Sequence, residues 1–255
     1  MKTITLHPRR LAAVVALAFV TITLTATSSS AQVIVAWGRD SHGQVSDTPV
    51  GSGIVQVAGG YAHSVAVRSD GSLVSWGFDG YQAIYGQVSN TPTGTGFSQV
   101  AAAGNHSLAL RNDGSLVSWG DDAGGLFSNS PTGTGFTQVA CGSSFMLALR
   151  SDGSIVTWGG DGAGQVSNTP VGTGFTEMAA GASHAVALRS DGSLVSWGWD
   201  GAGQVTSTPG GVGFTQVACG SSHSLALRSD GAIMSWGYSA AVANTPSGTG
   251  FSASA

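Results

Sequence analysis

The sequence predicts an all-β protein, a β-propeller of about six short blades with three to four strands each. Three observations predict this fold class. The dipeptide Trp-Gly recurs six times at intervals of 39, 43, 39, 39 and 39 residues, short alternating runs of apolar residues fill each interval, and Gly-rich turns separate those runs. No stretch after residue 31 shows helical periodicity. The tryptophans of the six pairs are Trp37, Trp76, Trp119, Trp158, Trp197 and Trp236.

The first element in chain order, residues 1–31, is expected to be a secretory signal peptide. Basic residues precede an apolar run at 11–24, and the small residues at 29–31 suit a cleavage site. The run is short for a membrane span, and a lipid-embedded anchor is the alternative. We therefore expect the repeat domain at 32–255 and a secreted or periplasmic location.

The composition of residues 32–255 excludes several classes of partner. This part of the chain has six arginines, no lysine and thirteen acidic residues, a formal charge of −7. Without a basic patch, neither nucleic acid nor, after signal cleavage, a membrane is an expected partner. Cys141 and Cys219 hold the same repeat position two units apart, beyond the Cα separation that a disulfide spans, so two buried free thiols are expected.

Each repeat is predicted to contain a β-hairpin closed by Asp-Gly. With residues 113–114 as a two-residue turn, Leu108 would pair with Trp119 on one bulky face. The opposite, smaller face would carry Ala109, and the bulky face of one sheet would pack on the small face of the next. The expected pairs are Leu110 with Val117, Leu108 with Trp119, Ala109 with Ser118, and Arg111 with Leu116.

The remaining elements of a repeat lie on either side of this hairpin. A third strand is predicted before it, as at 136–140. The link that follows Trp-Gly, such as 161–170, is rich in Gly, Asn, Ser and Pro, which predicts a surface loop.

The repeat pattern Gly-x-x-His-Ser-x-Ala-Leu-x-x-Asp-Gly, followed by Trp-Gly and Gly-Gln, resembles the regulator of chromosome condensation repeat. Residues 220–231 and 236–237 carry this pattern, and Gly-Gln begins at positions 43, 86, 164 and 203. The resemblance covers essentially all of 32–255 and is greatest to secreted bacterial members, including a propeller that inhibits β-lactamases. It implies a propeller fold, commonly seven-bladed, that binds other proteins.

The number of repeats departs from that family pattern. Five hairpins are complete, residues 33–38 supply only the last strand of a unit, and the sequence stops before another hairpin. A shortened gene product, an open arc and part of a multi-chain ring are the three arrangements left open. An open arc would leave strand edges free for pairing, so self-association is an expectation.

No catalytic residue, cofactor or metal site is predicted. Four histidines and Phe145 share one repeat position, and a structural role is favoured over a ring of metal ligands because the position accepts Phe and the family has a structural His there. The Asp-Gly pairs lack the spaced carboxylates of calcium loops. Tyr61 and Phe145 are weaker candidates for partner binding, with filling of the channel or the core as the alternative. The four histidines are His63, His106, His184 and His223.

The loops after Trp-Gly are the candidate binding face, because they vary on a constant scaffold. The variable position holds Arg, Phe, Asp, Gly, Trp and Tyr, the next is Asp in five copies, and the second unit has a four-residue insertion. Neutral drift of exposed loops is the alternative. The predicted partner-binding residues are Arg39, Phe78, Asp79, Tyr81, Tyr85, Asp121, Asp122, Trp199, Asp200 and Tyr238.

These features predict an exported protein-binding propeller that is not an enzyme, with inhibition of a secreted or periplasmic enzyme as one form of that function. Aromatic side chains would supply contact area, and aspartates would meet basic groups on the partner. The five aromatic residues among the predicted contacts should be exposed. The tryptophans expected to be buried between blades are Trp76, Trp119, Trp158 and Trp197. A structural or cell-surface repeat without a dedicated target and a metal-dependent lyase or hydrolase are the alternatives.

Overall fold

The computed structural model describes residues 34–80 and 85–252 and contains five three-stranded antiparallel sheets. These sheets are the blades of a propeller, which confirms the predicted fold class. The predicted signal peptide lies outside the described residues. Within those residues, no helix is long and apolar enough to span a membrane.

Every blade has the same strand order, in which the first strand pairs with the second and the second with the third. Blade 1 contains β1 (Ile54–Gly59), β2 (His63–Arg68) and β3 (Leu73–Gly77); blade 2 contains β4 (Phe97–Ala103), β5 (His106–Arg111) and β6 (Leu116–Gly120); blade 3 contains β7 (Phe136–Cys141), β8 (Phe145–Arg150) and β9 (Ile155–Gly159); blade 4 contains β10 (Phe175–Ala180), β11 (His184–Arg189) and β12 (Leu194–Gly198); blade 5 contains β13 (Phe214–Cys219), β14 (His223–Arg228) and β15 (Ile233–Gly237). A single helical turn, α1 (Ser239–Val242), follows blade 5.

The register of the hairpins differs by one residue from the prediction. The structure pairs Trp119 with Ser107, so Trp119 lies on the face of Ala109 and not on the face of Leu108. The predicted pairs Leu110–Val117, Leu108–Trp119, Ala109–Ser118 and Arg111–Leu116 are therefore wrong. The observed pairs are Ser107–Trp119, Leu108–Ser118, Ala109–Val117 and Leu110–Leu116.

The cause of this shift is a turn of three residues instead of two. The N–H of Arg111 donates to the carbonyl of Ser115, and the N–H of Gly114 donates back to the carbonyl of Arg111, both at 2.9 Å. Gly114 has φ +79°, the left-handed conformation that closes a three-residue hairpin loop. Asp113 accepts hydrogen bonds from the N–H and hydroxyl of Ser115. Asp-Gly is thus confirmed as part of the turn. The extra loop residue shifts the register of the two strands by one residue, so every cross-strand pair differs from the prediction.

Neighbouring blades pack through two different faces. The leucine face of blade 2 consists of Leu108, Leu110 and Leu116, and its tryptophan face of Ala109, Val117 and Trp119. The leucine face of each blade packs on the tryptophan face of the next, as where Leu108 shares a buried cluster with Trp158. Each of the five indole N–H groups also donates to a loop carbonyl of the preceding unit, at 2.9–3.0 Å.

The two ends of the blade series differ from its interior. The five blade tryptophans are 3–5% exposed, whereas Trp37 is 42% exposed. This confirms the burial predicted for Trp76, Trp119, Trp158 and Trp197, and Trp236 is buried as well. Residues 34–38 form no strand, although Ile34 packs beside Trp76 on blade 1. Leu225 and Leu227 on the leucine face of blade 5 are half-buried, since no further blade covers them within the described residues. Self-association through this end stays a prediction.

The histidine position links neighbouring blades. The Nε2 atom of His63 forms a hydrogen bond with the hydroxyl of Ser107 in blade 2 at 2.8 Å, and His184 bonds Ser224 in blade 5 at 2.9 Å. These two imidazoles and that of His106 are buried. Burial lowers the pKa of each of the three to about 4, so all are neutral at pH 7. The contacts assign these histidines a structural role.

Blade 3 replaces the histidine–serine pair by an apolar pair, Phe145 with Ala185, which share one buried cluster. We expect Phe145→His to destabilise the domain by about 2 kcal/mol, because the imidazole would be buried without the serine hydroxyl that His63 and His184 contact. Adding Ala185→Ser should recover about 1 kcal/mol through the restored hydrogen bond. Urea unfolding of both single variants and the double variant measures this coupling, and strictly additive effects would contradict it.

The turn glycines provide a second stability prediction. Gly192 has φ +79°, and a Cβ atom at this position would lie 2.7 Å from the backbone nitrogen of Gly213. Gly192→Val should therefore destabilise the domain by about 2 kcal/mol in thermal or urea unfolding. Gly162→Val is the matched control, because no atom lies within 4 Å of a Cβ there and φ is not positive. Equal stabilities of the two variants would contradict the proposed turn geometry.

Candidate functional site

The residue after each Trp-Gly pair lies at one end of its blade. Its backbone N–H donates to the carbonyl of the residue before the histidine position, at 2.7–2.9 Å in all five blades. That carbonyl belongs to the turn between the first and second strands, so the five positions lie on one rim of adjacent sheets. We call this end the upper rim, and it comprises Phe78, Asp121, Gly160, Trp199 and Tyr238 with the turns 60–62, 104–105, 142–144, 181–183 and 220–222. The opposite end, with the Asp-Gly turns, is the lower rim.

Two large aromatic residues are exposed on the upper rim, as predicted. Trp199 is 44% exposed and Tyr238 is 53% exposed. The indole of Trp199 lies over Gly201, where a Cβ atom would come within 2.3 Å of the ring. Because Gly201 has no side chain, the indole of Trp199 can pack against the loop that follows it. This contact limits the mobility of the indole and leaves part of the ring exposed to solvent.

Two other predicted aromatic residues are less exposed than expected. Phe78 is half-buried and meets the ring of His42 edge-on, with 4.6 Å between ring centroids. Tyr85 is also half-buried. The loop of the preceding unit packs beside blade 1 and covers Phe78, a contact that the variable position alone did not indicate. Tyr81 lies outside the described residues.

Tyr61, a weaker candidate from the sequence, is a residue of the upper rim. Its side chain is 81% exposed, which contradicts the alternative that it fills the channel or the core. It lies in the turn next to Ala62, whose carbonyl accepts the N–H of Phe78 at 2.8 Å. Its repeat position holds Tyr, Gly, Ser, Ala and Ser in the five blades. This variability was the available signal, and it resembles the variability after Trp-Gly.

The aspartate after the variable position stabilises its own loop. Oδ1 of Asp200 accepts the N–H groups of Val205 and Thr206 at 2.7 and 2.9 Å. Hydrogen bonds from Thr206 and then Val205 hold the pKa of Asp200 below its usual value, so it is ionised at neutral pH. Asp122 accepts the N–H of Phe127 at 2.6 Å in the same way. These carboxylates are thus structural groups that also bring negative charge to the loops of the upper rim.

The loop with the four-residue insertion keeps this arrangement. Asp79 accepts the N–H groups of Val88 and Ser89, nine and ten residues further along, where Asp200 reaches five and six residues further. The four inserted residues therefore lie between Asp79 and the backbone N–H groups that donate to it. The last two predicted residues have local contacts, since Asp121 accepts the N–H of Ala123 and exposed Arg39 donates to the hydroxyl of Ser41.

The remaining candidate groups are the metal-ligating side chains and the two thiols. No group of three His, Cys, Asp or Glu side chains that could hold a metal ion occurs in residues 34–80 and 85–252. Cys141 and Cys219 are free and buried, as predicted. Burial raises the pKa of Cys219 to about 12 and raises that of Cys141 as well, so both thiols are protonated at neutral pH.

A channel of about 350 Å³ runs between the innermost strands of the five blades. Alanines from all five blades line it, at positions 58, 101, 140, 179 and 218. A second set of lining residues lies two positions earlier on each strand, towards the lower rim. These are Gln56, Gln99, Gln138, Glu177 and Gln216.

Comparison with protein families identifies the repeat. The model described as "Regulator of chromosome condensation (RCC1) repeat" matches residues 54–83, 97–125, 136–165, 175–204 and 214–240, more than half of the chain. Each matched segment contains one blade and the start of the loop after it. No curated protein matches the chain.

Solved structures with a similar fold include proteins from yeast and plants. Prp20p from Saccharomyces cerevisiae, described with its binding to Gsp1p and histones, has a TM-score of 0.59 and 22% identity over 72% of this chain and 58% of its own. The ectodomain of the receptor kinase CR4 from Physcomitrella patens has a TM-score of 0.63 and 23% identity, over 77% and 55%. The ACR4 ectodomain from Arabidopsis thaliana has a TM-score of 0.61 and 20% identity, over 79% and 71%. The chain thus spans little more than half the length of the first two.

Proposed function

The chain belongs to the regulator of chromosome condensation (RCC1) repeat family, and from this membership we propose that it is a protein-binding propeller whose upper rim contacts the partner. The observation that carries this proposal is the exposure of Trp199 and Tyr238 on one rim of a repetitive scaffold. Exposed large aromatic residues are typical anchors of protein interfaces. Tyr61 adds a third exposed aromatic side chain to the same rim.

The proposed partner carries basic groups opposite the rim. Asp122 and Asp161 are exposed in the central loops, between the aromatic residues of blade 1 and those of blades 4 and 5. Complementary charge on a partner would speed association and fix its orientation more than it would add affinity. The binding of Gsp1p and histones by Prp20p supports protein binding as a function of this fold. The similarity does not identify the partner of this chain.

We further propose that the protein is secreted or periplasmic and inhibits an enzyme in that compartment. The basic start and apolar run of the first 31 residues support export. The structural contacts of the histidines and aspartates favour binding over catalysis for this chain. Inhibition would follow from covering an active site with the aromatic rim.

Photo-crosslinking tests the proposal directly. The full chain would carry p-benzoylphenylalanine at position 199, or at position 171 in the control. Val171 is 91% exposed in a loop next to the Asp-Gly turn of the lower rim. In the extracellular fraction of the native host, position 199 should give a defined crosslinked protein and position 171 should not. Absence of any specific product at position 199 would contradict the proposal and favour a structural repeat without a dedicated target.

A further inference from the structure

Glu177 is the only glutamate of the chain, and it occupies a channel position that holds Gln in the other four blades. Three of these glutamines, Gln56, Gln99 and Gln138, link adjacent inner strands. Gln56 accepts the N–H of Val100 at 2.8 Å, and Gln138 donates its side-chain nitrogen to the carbonyl of Thr176 at 3.0 Å. A carboxamide can donate or accept a hydrogen bond, whereas an ionised carboxylate can only accept one.

The carboxylate is poorly compensated where it lies. Oε1 of Glu177 accepts one backbone N–H, that of Val217, at 3.3 Å. The residues that line the channel include no Arg, Lys or His. Burial raises the pKa of Glu177, because the charged form loses hydration without gaining an opposite charge. For stability alone, glutamine is therefore the better residue at this position.

Replacing Glu177 by glutamine should change the thermal stability of the protein in a pH-dependent way. The folded pKa of Glu177 is raised, so its contribution to stability is most favourable in acid and is lost as the pH rises through that pKa. Glu177→Gln should raise Tm by about 2–4 °C at pH 8, and the gain should shrink at pH 4. Differential scanning calorimetry at both values measures the effect. A lower Tm of the variant at pH 8 would contradict the assignment.

We propose that Glu177 and the neighbouring carboxamides bind a primary ammonium group that enters the channel from the lower rim. An ammonium group has three N–H donors and no acceptor, which suits one carboxylate oxygen and the side-chain oxygens of glutamines. Gln138 uses its nitrogen for Thr176, so its oxygen is available as an acceptor. The alanines beyond this position provide an apolar wall for an alkyl stem.

This site is independent of the upper rim, because it lies at the opposite end of the channel. Glu177 keeps the link to the next inner strand that Gln56 also makes, but it brings a charge that burial disfavours. A destabilising ionisable residue in a cavity, where a neutral one could make the same link, is typical of a binding position. The single carboxylate favours an ammonium ion over a multivalent metal, which takes several oxygen ligands. The chemistry fits a small free amine and equally a lysine side chain on a peptide, and the test separates these sources.

The unique glutamate allows the site to be observed alone. Full-length protein labelled with [13C]glutamate has one side-chain carboxyl resonance. Adding n-butylammonium chloride should shift this resonance saturably and lower the apparent pKa of Glu177, whereas sodium chloride at equal ionic strength and n-butanol should not. An end-blocked Gly-Lys-Gly peptide forms the second arm. A response to both ligands assigns the site to lysine side chains as well as free amines, and a response to butylammonium alone assigns it to small amines.

Variants supply the controls for this experiment. Butylammonium should raise Tm of the parent protein and of Asp47→Asn, whose carboxylate lies in an exposed loop outside the channel, and should lose this effect in Glu177→Gln. A carboxyl resonance that responds to butylammonium no more than to sodium chloride would overturn the proposal. So would an undiminished rise in Tm of Glu177→Gln. Neither result would bear on partner binding at the upper rim.

Discussion

Lowering the pH from 7 to 5 is expected to destabilise the propeller by about 5 kcal/mol. The cause is the burial of His63, His106 and His184, whose pKa values fall from 6.5 to about 4 in the folded protein. Since the folded pKa is lowered, the stabilising contribution is complete above 6.5 and is lost as the pH falls towards 4. Each imidazole accounts for about 2 kcal/mol at pH 5.

The pH dependence can be measured by urea unfolding in steps between pH 7.5 and pH 4.5. The matched variant is His184→Phe combined with Ser224→Ala, which copies the apolar pair that blade 3 already contains. It should remain folded and lose about a third of the pH dependence, because one of three buried imidazoles is removed. The same measurement in a Glu177→Gln background isolates the histidines, since Glu177 itself makes the protein more stable as the pH falls. Equal stability at pH 7 and pH 5 would contradict the assigned role of the histidines.

Replacing Trp199 and Tyr238 together by Ala is expected to weaken partner binding about a hundredfold, or roughly 3 kcal/mol. Both side chains are exposed on the upper rim, so the variant should unfold at nearly the parent Tm. Loss of affinity with retained stability separates these residues from the buried tryptophans, which hold blades together.

Calorimetric titration with the crosslinked partner measures this loss. Val171→Ala is the control, because it truncates an even more exposed side chain near the lower rim. It should bind with the parent affinity. Similar losses in both variants, or none in either, would contradict binding through the upper rim.

The repeats made much of the fold predictable. Trp-Gly at regular spacing located the last strand of each blade, and Asp-Gly located the hairpin turns. The register was missed because Asp-Gly suits both two- and three-residue loops, and only the bond between Arg111 and Ser115 distinguishes them. A one-residue difference in loop length moves Trp119 to the other face of its sheet.

The candidate site was less predictable, because it depends on contacts between units. Phe78 follows the variable pattern, yet the loop carrying His42 covers part of its ring. Asp200 looks like a free surface charge in the sequence, while its Oδ1 accepts two backbone N–H groups of its own loop. Tyr61 lies outside the Trp-Gly loops, and its sequence position alone does not show whether the side chain fills the channel or is exposed on the upper rim.

Hydroxyl-radical footprinting of the full chain with its captured partner tests the central claim most directly, because it reports both rims at once. Tyr61, Trp199 and Tyr238 should react with radicals in the free protein and be protected in the complex. Val50 and Val171, which are 94% and 91% exposed, should remain equally reactive in both states. Protection of these valines with the three aromatic residues still reactive would contradict the claim that the upper rim binds the partner.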